Sequence, residues 1–258
     1  MSVLLVDALP GTALAAVVLF GLVIGSFLNV VIARLPERRS LWRPGSACPA
    51  CGAAIAWYDN IPMLSFLALR GRCRACDVAI SWRYPAVELL TAAAFLGAWL
   101  AFGPTGRFVV ASALLAALIA ITVIDLEHQI IPDVITLPGI VAGVLIGMGT
   151  GTWLDSLIGV LVGGGVFFVI ILVQPGGMGG GDMKLGGMLG AFLGWKVLLF
   201  SLFVAVTLGG ALAIALLATG LRGRKDPIPF GPFLALGGAT GLLWGEGVVT
   251  WYLRGFGA

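Results

Sequence analysis

Charge is what this chain has least of. Of its 258 residues only 10% are Asp, Glu, Lys or Arg, while 60% are hydrophobic and the mean hydropathy is +1.09. An ordinary soluble domain carries about 25% charged residues, so the composition excludes one and indicates an all-α polytopic membrane protein. Histidine is nearly missing too: His128 is the single one, and no Ser-His pair suggests nucleophilic hydrolysis. His128 and its neighbour Glu127 read as solvated loop residues. No Lys or Arg precedes the first apolar run, about Leu14 to Ile32, and no small-residue cleavage site closes it. That run is therefore expected to stay as a spanning helix and not to be removed as a signal peptide.

What charge there is lies unevenly. Arg34, Arg38, Arg39, Arg43, Arg70, Arg72, Arg74 and Arg83 all fall between the first and second apolar runs, and the positive-inside rule makes that loop cytoplasmic. Nucleic-acid binding is the competing explanation of so many arginines; it is disfavoured because the segment flanks a membrane helix and lacks interleaved stacking aromatics. Apolar segments long enough to cross a bilayer, about 17 to 25 residues, predict eight helices near 12–34, 85–103, 107–125, 132–150, 154–173, 184–195, 197–221 and 230–252. The sixth is short and glycine-rich, so seven crossings is the alternative. With eight, Lys184 and the cluster Arg222, Arg224, Lys225 join the Arg-rich loop inside, and only Arg107, Lys196 and Arg254 face outside.

The same threading puts two carboxylates on one face. Asp125 ends the third apolar run, and Asp182 follows the stretch Gly176-Gly177-Met178-Gly179-Gly180-Gly181 and precedes Met183-Lys184. An ionisable residue at the edge of hydrocarbon is a functional-site hypothesis by default. Gly179, Gly180 and Gly181 predict a bend where another backbone, such as an extended substrate strand, approaches closely. Two carboxylates within a few ångströms share one proton. The ionised one can activate water while the protonated one polarises a scissile carbonyl, the division of labour of aspartic proteases. Lys184 reads as a lysine reaching for the interface or as a charge that tunes this pair. Asp133, after Pro132, suits the first turn of the next helix. The glycines at 143, 147, 149 and 151, at 159, 163, 164 and 165, and at 186, 187, 190 and 194 read as close helix packing.

All four cysteines lie in the Arg-rich loop, as Cys48-Pro-Ala-Cys51 and Cys73-Arg-Ala-Cys76. Paired CxxC knuckles supply four thiolates for a tetrahedral Zn²⁺ site, structural because no ligand position stays open. A redox pair or reduced thiols are the alternatives. The run from Trp57 to Pro62 between the knuckles could lie on headgroups or pack on the metal ribbon.

In their order, these pieces resemble the bacterial type IV prepilin peptidases, membrane aspartic proteases of the GxGD type. The resemblance runs from Gly25-Ser26-Phe27-Leu28-Asn29 and Arg34-Leu35-Pro36 through the CxxC knuckles and Asn60-Ile61-Pro62. It continues through Arg70-Gly71-Arg72-Cys73-Arg74, Tyr84-Pro85-Ala86-Val87-Glu88, Ile131-Pro132-Asp133, Gly181-Asp182-Met183-Lys184 and Ile228-Pro229-Phe230-Gly231-Pro232-Phe233. The resemblance implies three parts: a first helix at 1–34, a four-cysteine region associated with methyl transfer at 35–84, and a peptidase region at 85–258. It implies that Asp125 and Asp182 are the catalytic pair and that Cys48, Cys51, Cys73 and Cys76 bind zinc. The expected activity is removal of the leader of type IV prepilins or pseudopilins after a glycine, at the cytoplasmic face of the bacterial inner membrane, followed by N-methylation with S-adenosylmethionine as donor. No glycine-rich strand-to-helix fingerprint marks a donor pocket. The competing function is an ion-coupled transporter whose coupling ion binds the two aspartates; such proteins show repeated halves and midplane sites, and neither is visible here. A scaffold with structural aspartates is the third reading.

Overall fold

The structure is a computed structural model, and it describes residues 11–174, 178–221, 223 and 228–255. Every regular element among the described residues is helical. Gly176, Gly177, Arg222, Arg224 and Lys225, which figure in the sequence reading, lie outside the described residues. The chain divides into two units, residues 1–120 and 121–258.

The N-terminal unit begins with α1 (Gly11–Arg34), continues through a loop region carrying the short α2 (Leu64–Ala68), and ends with α3 (Arg83–Phe102) and most of α4 (Gly106–His128). Helices α1 and α3 approach almost backbone to backbone. A Cβ on Gly21 would lie 2.6 Å from the Ala92 Cα, and one on Gly25 would lie 2.6 Å from the Glu88 Cα. In lipid, where burying apolar surface gives no net drive, such approach is what associates helices.

The C-terminal unit holds the end of α4, then α5 (Asp133–Thr150), α6 (Trp153–Val173), α7 (Gly180–Ala218), α8 (Gly231–Thr240) and α9 (Glu246–Gly255), the last two joined by a π turn at Gly241–Gly245. Among the described residues, seven helical segments are long and apolar enough to cross a membrane, α8 to α9 counting as one. The chain is thus a multi-pass membrane protein. The count differs from eight because the sixth and seventh predicted helices run together as the 39-residue α7. At 1.5 Å per residue a straight helix of that length would span about 58 Å, nearly twice the roughly 30 Å of a hydrocarbon core. It is not straight. Gly194, with φ 70° and ψ 163°, breaks it. Gly194 lies against Asp155 near the start of α6, whereas Leu198, four residues later, already reaches back to Gly163. The two arms of α7 therefore fold as a hairpin, and the separation expected near residue 196 survives as a glycine hinge.

The first arm of α7 packs antiparallel on α6 at van der Waals limits. A Cβ at Gly159 would sit 2.1 Å from the Gly190 carbonyl oxygen, and one at Gly163 2.2 Å from that of Gly186. Gly149 and Gly165 meet nothing within 4 Å, so not every glycine in these runs serves packing.

Two boundaries differ from expectation. Helix α4 runs on to His128, so the polar run 125–129 is its last turn and not an interfacial turn; Gln129, with φ 54°, ends it. Helix α7 begins at Gly180, not near 184, so Gly180 and Gly181 are helical and do not form a bend. Asp182 in the first turn favours that start, because a carboxylate there meets the positive end of the helix dipole.

Candidate functional site

Asp125, three residues before the end of α4, is 5% exposed, and Asp182, in the first turn of α7, is 9% exposed. Both lie in the C-terminal unit, where Ile131, just beyond the end of α4, packs on Gly181 beside Asp182. Each is oriented by a backbone amide. The Gly231 N–H donates to Asp125 Oδ2 at 3.0 Å, and the Gly179 N–H donates to Asp182 Oδ2 at 3.2 Å. Asp182 also returns its own N–H to the Gly179 carbonyl at 3.1 Å, closing a reciprocal cap on the helix start.

Gly231 was not singled out from sequence, and its part is spatial. A Cβ there would lie 2.6 Å from Asp125 Oδ2, so only glycine lets α8 begin against that carboxylate. The available signal was the Pro229-Phe230-Gly231-Pro232 punctuation, which marks a helix start without naming what it faces.

The three glycines before Asp182 separate into different parts. Gly179 supplies the N–H just described; Gly181 packs on Ile131, whose Cβ would lie 2.8 Å from a Cβ at that position; Gly180 faces open space. Lys184 and Asp133 meet each other, both carboxylate oxygens lying 2.7 Å from the lysine Nζ. This half-exposed pair ties the start of α5 to the start of α7.

The loop of the N-terminal unit gathers the four cysteines. Its two knuckles repeat one backbone pattern. Cys48 N–H donates to the Ala53 carbonyl and Gly52 N–H to the Cys48 carbonyl; Cys73 N–H donates to the Val78 carbonyl and Asp77 N–H to the Cys73 carbonyl. Gly52 and Asp77, one after each second cysteine, both have positive φ, and single antiparallel bridges (Ala47 with Ala54, Arg72 with Ala79) close each turn.

All four Sγ atoms lie within 4.8 Å of one another, and those of Cys48 and Cys76 are 3.9 Å apart. A tetrahedron with metal–sulfur bonds of about 2.3 Å has edges of about 3.8 Å, so the four residues fit a single metal ion. The amides of Cys51 and Ala50 bring the Cys48 thiol down to about 6, with smaller help from Cys73 and Cys51 sulfur. Cys76 has the Val78 amide in favour of its thiolate, but the sulfurs of Cys51, Cys73 and Cys48, together with burial, push it up to about 12. One thiolate forms readily and the next is opposed by it, which is the charge pattern that a bound dication would relieve.

The Trp57–Asn60 segment forms a 3₁₀ turn on the same loop. Arg74 donates to both carboxylate oxygens of Asp59 at 2.6 and 2.8 Å and lies over the Tyr58 ring, which ties the second knuckle to the turn. The guanidinium holds the Asp59 carboxyl below the usual carboxylate range. Trp57 stays 80% exposed. Between this loop and the ends of α1 and α3 lies a cavity of about 860 Å³, whose lining includes Asn29, Arg34, Cys48, Asp59 and Glu88. Its size is that of a small-molecule site. Sequence reasoning assigned no residue of α1 or α3 to a site.

Comparison with known proteins accounts for both units. The model of the Bacterial Peptidase A24 N-terminal domain matches residues 19–102, and that of the Type IV leader peptidase family matches residues 112–214. A prepilin leader peptidase/N-methyltransferase of Aeromonas hydrophila is 39% identical over 98% of this chain and 98% of its own length. One from Myxococcus xanthus is 47% identical over 85% of this chain and 69% of its own, and one from Bacillus subtilis 34% identical over 93% and 98%. No solved structure matches the chain.

Proposed function

Because the chain belongs to the type IV leader peptidase family, we propose that it removes the leader peptides of type IV prepilins or pseudopilins, cutting after a glycine, and then methylates the new N-terminus. The observation that carries the peptidase reading is the pair of buried carboxylates, Asp125 and Asp182, at the ends of two apolar helices of one unit, each held by a backbone amide. The pair works with one proton between its two members. The ionised carboxylate takes a proton from the attacking water while the protonated one donates a hydrogen bond to the scissile carbonyl oxygen. The Gly231 amide fixes Asp125 and the Gly179 amide fixes Asp182, which supports a role for both carboxyl groups toward one substrate. Gly179, Gly180 and Gly181 shape the approach to Asp182, and the Lys184–Asp133 pair braces the two helix starts on either side of it.

The four cysteines would hold Zn²⁺, which supplies a tetrahedral cross-link to a loop too small to build a core of its own. S-adenosylmethionine would supply the electrophilic methyl group, with the four-cysteine region 35–84 as the methyl-transfer part, following the helix at 1–34, and 85–258 as the peptidase. The charge distribution supports a bacterial inner-membrane protein with the cysteine loop and the aspartates on the cytoplasmic side. Its partners there would be pilin substrates and lipid, serving pilus assembly or type II secretion.

The test is to incubate the purified protein with a prepilin and S-adenosylmethionine and weigh the product. Loss of the leader mass plus one methyl group supports the whole reading. An intact prepilin refutes it, and shortening without methyl mass removes the second activity alone.

A further inference from the structure

The cavity of the N-terminal unit contains a carboxylate and an amide for which leader cleavage has no use. Glu88, in the second turn of α3, is 8% exposed. Its Oε2 accepts the Met63 N–H at 2.8 Å, and the Ser26 hydroxyl bonds to the same carboxyl group. A carboxylate has about four lone-pair positions, so it retains acceptor capacity. Met63 holds a positive φ of 59°, a strained conformation for a side-chain-bearing residue, while presenting its N–H to that carboxylate.

Asn29, on α1, is 3% exposed. Its amide nitrogen donates to the carbonyls of Gly25 and Tyr84 at 3.3 and 3.1 Å, which fixes the orientation of the side chain, and its Oδ1 is buried without a partner. Both residues line the same cavity as Ser26 and Tyr84. The charged groups lining it are Arg34, Arg39, Arg43, Arg74, Arg83 and Asp59, with Glu88 itself. Arg34 is engaged by the carbonyls of Ser40 and Gly45, Arg39 by Glu37, and Arg74 by Asp59. At the helix end, then, a fixed orphan acceptor and a buried carboxylate call for a ligand with several N–H donors. A primary amine meets that description, and a neutral apolar group does not.

We propose that Glu88 and Asn29 bind the α-amino group freed by leader cleavage, and that Glu88 takes its proton before methylation. The inference rests on the methyl-transfer reading given above. The position favours the substrate's amine over that of the donor. Glu88 and Asn29 stand on the apolar helices α3 and α1, the part of the cavity that a membrane-borne substrate segment would reach first, whereas Cys48 and Cys73 line its loop part. In the step itself the ammonium gives one proton to Glu88 and keeps a lone pair on nitrogen. That pair forms the new N–C bond as the sulfonium S–C bond breaks and its electrons stay on sulfur as a thioether. The proton on Glu88 then leaves to water.

The test uses the full-length protein with a prepilin and S-adenosylmethionine, comparing wild type with Glu88→Gln and Glu88→Asp. Glu88→Gln keeps an acceptor for the Met63 N–H. It should cleave the leader at the wild-type rate and bind labelled S-adenosylmethionine normally without prepilin, which shows that the cavity is folded. Its methyl transfer at pH 7 should fall about 10²-fold. The residual rate should climb as pH rises through about 8, where a free α-amino group loses its proton, and Glu88→Asp should recover part of the loss. Unchanged methylation in Glu88→Gln, a residual rate flat with pH, or loss of donor binding would each overturn the proposal. A wild-type product without methyl mass would remove the methyl-transfer reading, and this inference with it.

Discussion

The aspartate pair of the C-terminal unit and the cysteine cluster of the N-terminal unit are held by opposite means. In the C-terminal unit the carboxylates stand on regular helices, and precision comes from missing side chains: Gly231 admits Asp125, while Gly159, Gly163, Gly186 and Gly190 let α6 and α7 touch along their backbones. In the N-terminal unit the metal-binding sulfurs stand on loop turns with positive φ at Gly52 and Asp77, tied together by side chains such as the Arg74–Asp59 pair. A helix-borne site tolerates loss of a surface contact but not an added methyl group. A loop-borne site should show the reverse sensitivity, because it depends on cross-links more than on close packing.

The largest effect separates the units outright. Asp125→Asn or Asp182→Asn removes the shared proton chemistry while nearly preserving shape, and leader cleavage should fall by about 10²- to 10⁴-fold. Binding of S-adenosylmethionine and metal content should stay at wild-type values. Cleavage within a factor of a few of wild type, measured on purified prepilin, would mean that the aspartates are not the catalytic pair.

Gly231→Ala sharpens the contrast within the helical unit. The new Cβ has no room beside Asp125 Oδ2, so the carboxylate or the start of α8 must move, and a displacement near 1 Å can cost about 10²-fold in rate. Gly210→Ala, whose Cβ would meet nothing within 4 Å, serves as the control and should cleave normally. Equal rates for the two variants would show that approach to Asp125 is not limiting.

How much of this was legible beforehand follows from the physics of each feature. Asp125, Asp182 and the cysteines stood out because charge is rare in an apolar chain and because CxxC pairs have few other uses. Gly231 could not stand out, since its part is to be small opposite a residue 106 positions away. Glu88 and Asn29 belong to motifs of the resemblance, but nothing in the sequence gives them a site role. Each is a single polar residue in an apolar run, and only the packing of α1 on α3 shows that both are buried beside one cavity. Helix α7 starts earlier than its glycines suggest, because in a first turn the helix dipole and the Asp182 cap offset the cost of glycine. The hinge at Gly194 was visible as a glycine and not as a hairpin, because reversal is a matter of one φ, ψ pair.

In the loop-borne unit, stripping metal with a chelator, or Cys51→Ser with Cys76→Ser, should abolish methyl transfer and expose the loop to proteolysis. Leader cleavage should persist at least in part, because none of the cysteines belongs to the helical unit. If the four cysteines hold a structural metal as proposed, its removal takes away a cross-link on which the folding of the loop depends. Parallel loss of both activities on chelation would show that the helical site also depends on the loop.

The smallest expected effect tests whether side-chain ties matter in the loop at all. Asp59 is held below the ordinary carboxylate range by Arg74. Its contribution to folding is therefore fully present above the unfolded value of about 3.9 and is lost as pH falls through the lower folded value. Acidification across that window should raise proteolysis between the knuckles in wild type. Asp59→Asn lacks the titrating group and should show its weaker protection already at neutral pH, with less further change on acidification. Because Arg74 is largely exposed, added salt should shrink the wild-type advantage. If the two proteins lose protection in parallel as pH falls, the tie contributes nothing, and the knuckles are held by their backbone turns and the metal alone.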